Sequence, residues 1–90
     1  MGVFTILSRE LTVKNEEGLH SRPAMDFAKE AMRFKSVITI KKDGEEYDAK
    51  SMLLVLSACI CKGDKFVLTA SGEDENEAVE SLTNLVDSFE

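Results

Sequence analysis

The sequence predicts an α+β fold, an antiparallel sheet with helices packed on one face. Two observations carry this. Short β-forming runs interleave with helical periodicity in the order β-α-β-β-α-β-α. A hairpin signal and short connections favour antiparallel pairing with the helices gathered on one side. With 90 residues, 43% of them hydrophobic, the chain suits a single domain over residues 1–90 with one modest core.

Phe4 to Val13 holds β-formers in partial alternation and reads as the first strand. Lys14 to Gly18 is a polar loop. Ser21 to about Phe34 reads as a helix, because Ala24, Phe27, Ala28, Ala31, Met32 and Phe34 recur at spacings of three and four. Lys29, Glu30 and Arg33 fall on its wet side. Val37 to Lys41 is the second strand, with Ile38 and Ile40 on one face. Lys42-Asp43-Gly44-Glu45 turns the chain, since Asp-Gly readily takes the positive φ angles of a tight hairpin. Glu46 to Ala49 pairs back as the third strand. Ser51 is placed to cap a short helix from Met52 to about Cys59. That run is apolar nearly all round, so a buried strand is the rival reading. Lys62-Gly63-Asp64 is a turn. Lys65 to Ser71 is the fourth strand, with Phe66, Leu68 and Ala70 on one face. Gly72 breaks it. Asp74 or Glu75 starts the last helix, whose acidic first turn suits the helix dipole. Its expected buried stripe is Ala78, Leu82, Leu85, Val86 and Phe89.

Composition excludes several classes. A formal net charge of -6 argues against nucleic acid as the main partner, which normally needs a basic stripe. Arg22, Lys29, Arg33 and Lys35 form a local basic group in or near the first helix, and much of the acid lies from Glu73 to Glu90. No apolar run approaches the roughly 20 residues of a membrane span. Met1 to Ser8 lacks the regions of a signal peptide. A cytoplasmic chain without membrane insertion is therefore expected. Met1-Gly2 suggests a myristoylation start, but Ile6 stands where serine or threonine is needed. Cys59 and Cys61, with no second pair, match neither a zinc spacing nor a disulfide framework. No metal or other cofactor is expected, and the two thiols are expected to be reduced and partly buried. A self-sufficient hydrolase would need a second base, a metal cluster or a Gly-rich nucleotide loop, and the sequence offers none.

Gly18-Leu19-His20-Ser21-Arg22-Pro23-Ala24 holds the chain's one histidine and one proline. Proline favours the first turn of a helix, where its missing N–H is not needed, so Pro23 marks the helix start. His20 then sits at the helix mouth, where unpaired backbone N–H groups and the dipole favour negative charge. Neutral imidazole has a nucleophilic lone pair near physiological pH, since its unperturbed pKa is about 6.5. Arg22 offers a fork of donors to phosphate oxygens. The backbone N–H groups of Ser21 and Arg22 are further donors. This combination reads as a site that carries a phosphoryl group.

With Met25 added, these residues resemble the active-site signature of the HPr phosphocarrier family of the bacterial phosphoenolpyruvate:sugar phosphotransferase system. The likeness runs from about Phe4 to the C-terminus. Lys50-Ser51-Met52-Leu53 is similar to the family's regulatory-serine segment, and Ala70-Ser71-Gly72-Glu73-Asp74-Glu75 to its turn into the last helix. The resemblance implies an open-faced β-sandwich, four antiparallel strands under three helices. It implies a carrier and not an enzyme: a phosphoryl group moves from phosphorylated enzyme I to Nδ1 of His20 and on to enzyme IIA proteins for sugar uptake. A nitrogen-related relay would show the same motif. Regulatory phosphorylation at Ser51 by a serine kinase/phosphorylase is implied too, with a transcription regulator as reader. Met52, Leu53 and Leu56 are the expected docking residues, rimmed by Arg22 and Lys50, on a chain expected to be monomeric.

Three positions depart from the family pattern. Ala58 stands where a larger aliphatic residue is usual, Cys59 where glycine is common, and Glu17 where a small polar residue is more frequent. A carboxylate turned toward His20 would repel an incoming phosphoryl group and tend to raise the imidazole pKa; turned to solvent it would do neither.

Overall fold

Seven elements follow in the expected order: β1 (Leu7–Thr12), α1 (Ser21–Ala31), β2 (Val37–Lys42), β3 (Glu45–Asp48), α2 (Met52–Ser57), β4 (Lys65–Ser71) and α3 (Glu75–Ser88). The structure, a computed structural model, describes residues 6–89. Met1–Thr5 and Glu90 lie outside the described residues, and with them the start of the strand expected from Phe4. The strands form one antiparallel sheet in the order β1-β4-β2-β3. The β2–β3 hairpin turns through Asp43 and Gly44, at φ 53° and 84°. Two consecutive positive φ angles match the twist that flanking strands require.

One face of the sheet is covered. Ile38 and Ile40 of β2 and Phe66, Leu68 and Ala70 of β4 are buried beneath Ala24, Phe27, Ala28 and Ala31 of α1 and Ala78, Val79, Leu82 and Val86 of α3. Phe27 meets Phe66 edge to face, with ring centroids 6.2 Å apart. Such a pair adds about 0.5–1.5 kcal/mol beyond its buried area. Leu85 and Phe89 are half-buried against this core.

The helices differ in detail from the sequence reading. α1 stops at Ala31, short of Phe34. Met32 is 64% exposed, and Phe34 packs against the core from the following turn. The chain must reverse here, because the Lys35 and Ser36 N–H groups donate to the Asp74 carboxylate at 2.8 and 2.9 Å. The Met52 segment is a helix, not a strand. Ser51 Oγ accepts from the Leu54 N–H at 3.2 Å, and Val55 is the helix residue that is fully buried. The helix ends at Ser57, before the expected Cys59. In α3 the acidic first turn contains a surprise: Glu75 is buried, and its Oε1 accepts from the Gly72 N–H at 3.1 Å.

Candidate functional site

His20 is the N-cap of α1, with extended backbone (φ -128°, ψ 165°) and no capping bond from its side chain. The imidazole is therefore left available. The helix begins at Ser21, so Pro23 lies buried within the first turn, where its lack of an N–H costs nothing. Ala24 N–H donates to His20 O at 3.5 Å, and the preceding N–H groups of the turn have no acceptor within the helix. Ser21 takes φ 53°, a rare angle for a residue with a side chain. His20 is half-buried, while Ser21 and Arg22 are exposed. Arg22 joins none of the ion pairs among the described residues. Glu17 is exposed and forms no ion pair with His20 among the described residues.

A second loop completes the surroundings. Leu19 N–H donates to Ile60 O at 2.8 Å, stitching the His20 loop to residues 59–61. Gly18 permits this approach. Its φ is 68°, and a Cβ there would meet Ile60 O at 2.4 Å and Cys61 Cα at 2.8 Å. Asn15 Nδ2 donates to Gly18 O at 2.9 Å from the other side. The 59–61 loop has its own anchors. Lys42 Nζ donates to Cys59 O at 2.7 Å, Cys61 N–H donates to Asp64 Oδ2 at 2.8 Å, and Lys42 pairs with Asp64 at 3.2 Å.

This stitching brings two thiols to the histidine. Cys61 Sγ lies 3.7 Å from His20 Nε2, and the ligand atoms of His20, Cys59 and Cys61 all lie within 4.8 Å of one another. Both cysteines are exposed, against the expectation of partial burial. The reason is local: Cys59 has φ 53° just past the end of α2, and Cys61 sits in the turn that follows, so neither faces the core. Desolvation, then the neighbouring Cys59, push the Cys61 thiol above its ordinary pKa, so it is protonated at neutral pH. Sequence spacing concealed this cluster because its third member is 41 residues from Cys61. The one available hint was a cysteine at a position where the family often has glycine.

The other expected residues are dispersed along α2, which packs against α1. Ser51 caps α2. Met52 and Leu53 are 41% and 73% exposed. Leu56 is half-buried against the core, and Leu54 is exposed in its place. Lys50 is no free rim charge, since its ammonium donates to Phe34 O at 2.7 Å. A surface depression of about 470 Å³ is lined by Val37, Ile38, Thr39, Glu46, Tyr47, Asp48 and Lys50, and none of the His20 cluster borders it.

Residues 7–88 match the family described as PTS HPr, the HPr component phosphorylation site of the phosphotransferase system. The chain is 37% identical over 84 residues to "Phosphocarrier protein HPr" of Borreliella burgdorferi, covering 93% of this chain and 98% of that one. It is 39% identical over 82 residues to "HPr-like protein Crh" of Halalkalibacterium halodurans, covering 91% and 98%. The crystal structure of HPr-C-His from Thermoanaerobacter tengcongensis superposes with a TM-score of 0.89 at 36% identity, over 91% of this chain and 92% of that one.

Proposed function

The chain belongs to the PTS HPr family of non-catalytic phosphoryl carriers, and on that premise we propose that His20 accepts a phosphoryl group from phosphorylated enzyme I and yields it to enzyme IIA proteins. The observation that carries this reading is the placement of an uncapped, half-buried imidazole at the mouth of α1 beside an exposed arginine. A P–N bond forms at Nδ1 as the bond to the donor breaks, and the reverse exchange delivers the group onward. In this reading Nε2 carries the ring proton and faces Cys61 Sγ at 3.7 Å, which leaves the Nδ1 lone pair for attack. A helix end contributes less than about 1 kcal/mol to binding an exposed anion. Arg22 therefore supplies a second positive charge, with two fork donors for phosphate oxygens. The Ser21 and Arg22 N–H groups hold the remaining oxygen.

Docking uses the exposed Met52 and Leu53 of α2, with Leu54 replacing the more buried Leu56. Partners with acidic faces suit Arg22 at the rim. The working unit is a single-domain monomer in the cytoplasm. Among the described residues, no helix is long and apolar enough to cross a membrane. The test supplies labelled phosphoenolpyruvate and enzyme I. Acid-labile label enters the wild type and Ser51→Ala and is absent from His20→Ala; full labelling of His20→Ala refutes the reading.

A regulatory role at Ser51 is the second reading, favoured by its hydroxyl standing at the start of α2 against the Leu54 N–H. A phosphate there meets helix-end donors, while its charge opposes the docking of acidic partners and offers a transcription regulator a new surface. A serine kinase/phosphorylase with ATP gives acid-stable phosphate in the wild type and none in Ser51→Ala; an unlabelled wild type ends this reading.

A further inference from the structure

We propose that His20, Cys59 and Cys61 form a binding site for a thiophilic divalent ion of the zinc type, and that its occupancy blocks phosphoryl acceptance at His20. Imidazole and thiolate are the ligands such an ion prefers. Tetrahedral zinc holds sulfur at about 2.3 Å and nitrogen at about 2.0–2.1 Å, which sets neighbouring ligands about 3.5–3.8 Å apart. His20 Nε2 and Cys61 Sγ already stand at 3.7 Å, and no pair among the three ligand atoms exceeds 4.8 Å. Closing the set takes side-chain movements of about 1 Å, which rotamer adjustment of exposed cysteines supplies.

The backbone that presents the ligands is held in place. Lys42 grips Cys59 O, Asp64 accepts from Cys61 N–H, and the Leu19–Ile60 hydrogen bond fixes the spacing of the two loops. Both thiols are exposed, so an ion enters from solvent and keeps a fourth position for water. Three protein ligands with one open position is an established zinc arrangement. The balance is one divalent cation bound and two thiol protons released, leaving a neutral complex at the helix mouth.

The consequence for phosphoryl transfer rests on the reading of His20 as acceptor. An ion on Nε2 takes that nitrogen's lone pair. The neutral ring then carries its proton on Nδ1, and no lone pair remains for phosphorus. The ion also sits where a docking partner must approach. Metal and phosphoryl group are thus mutually exclusive on one imidazole.

The test uses the whole reduced, metal-free chain. Zn²⁺ is titrated by calorimetry, and Co²⁺ by the visible bands of a tetrahedral thiolate complex. One equivalent binds to the wild type, and affinity falls at least tenfold in Cys59→Gly, Cys61→Ser and His20→Ala. Cys59→Gly suits the φ of 53° at that position, so its loss of binding is not a loss of folding. Equal affinity in the wild type and the Cys59→Gly/Cys61→Ser double variant overturns the site. In a second arm, one equivalent of Zn²⁺ lowers labelling from phosphoenolpyruvate and enzyme I at least tenfold in the wild type but not in the double variant. Unchanged wild-type labelling with zinc bound overturns the block. Absence of labelling in every metal-free sample strikes the carrier reading and leaves the metal titration standing.

Discussion

Ser21, the first residue of α1, and Cys59, just past the end of α2, each hold a backbone angle of φ 53° near the imidazole. For a residue with a Cβ that region costs on the order of 1–3 kcal/mol. Strain concentrated beside His20 marks the place where the fold gives up stability for geometry. Cys59→Gly is expected to raise stability by up to about 1 kcal/mol, since relief of strain is partly cancelled by a freer unfolded chain. Urea denaturation reads this as a higher midpoint at unchanged slope. Arg22→Ala is expected to leave that midpoint within about 0.5 kcal/mol, because the side chain is exposed and outside the ion pairs described. It should slow phosphoryl acceptance by roughly 10–100-fold, the loss of a charge-assisted bond of about 1.5–3 kcal/mol. Arg22→Lys restores charge but not the fork, so recovery is partial. At this scale the placement of His20, Arg22 and Pro23 at the start of α1 was legible, because the one proline marks a first helical turn. Cys59 and Cys61 were not, because their meaning depends on a residue that only folding brings near.

Elements are joined by short polar clamps as much as by apolar faces. Asp74 spends its carboxylate on Lys35 and Ser36 and makes no capping bond to its own helix. The Ser36 hydroxyl, then the Lys35 N–H, hold the Asp74 carboxyl below the usual range. The Ser81 hydroxyl does the same for Glu30, tying α3 to α1, with Arg33 assisting. A carboxyl lowered in the folded state contributes stability that is present above its unfolded pKa of about 4 and is lost as pH falls through the folded value. Stability should therefore drop as pH falls below about 4, and Asp74→Asn should flatten that acid limb while lowering stability at pH 7. Denaturant midpoints from pH 2 to 7 check both. Ser51→Ala removes the α2 cap and is expected to cost about 1 kcal/mol by the same measurement. The order of elements was readable from periodicity and the Asp-Gly hairpin. Helix ends were not, since α1 stops where the Asp74 clamp turns the chain and α2 where Cys59 reverses it.

The whole molecule is a sheet with one covered face, and one core holds both loops of the site in place. Phe27 is fully buried against Phe66. Phe27→Ala should cost about 3–5 kcal/mol, a large share of the stability of so small a domain. Its effect on His20 should follow the fraction folded and nothing else. The sheet-and-helix class could be read from sequence because hairpins and helical stripes are local signals. The approach of Gly18 to Ile60 could not, since a glycine in a polar loop does not announce what lies against it. The central claim is that this scaffold carries one phosphoryl group on one imidazole. Its most direct measurement is intact mass followed by fragment mapping after incubation with enzyme I and phosphoenolpyruvate. A single phosphoryl increment on His20, removed by mild acid, is the expected result; an increment on another residue, or none on a folded wild-type chain, rules out phosphoryl carriage by His20.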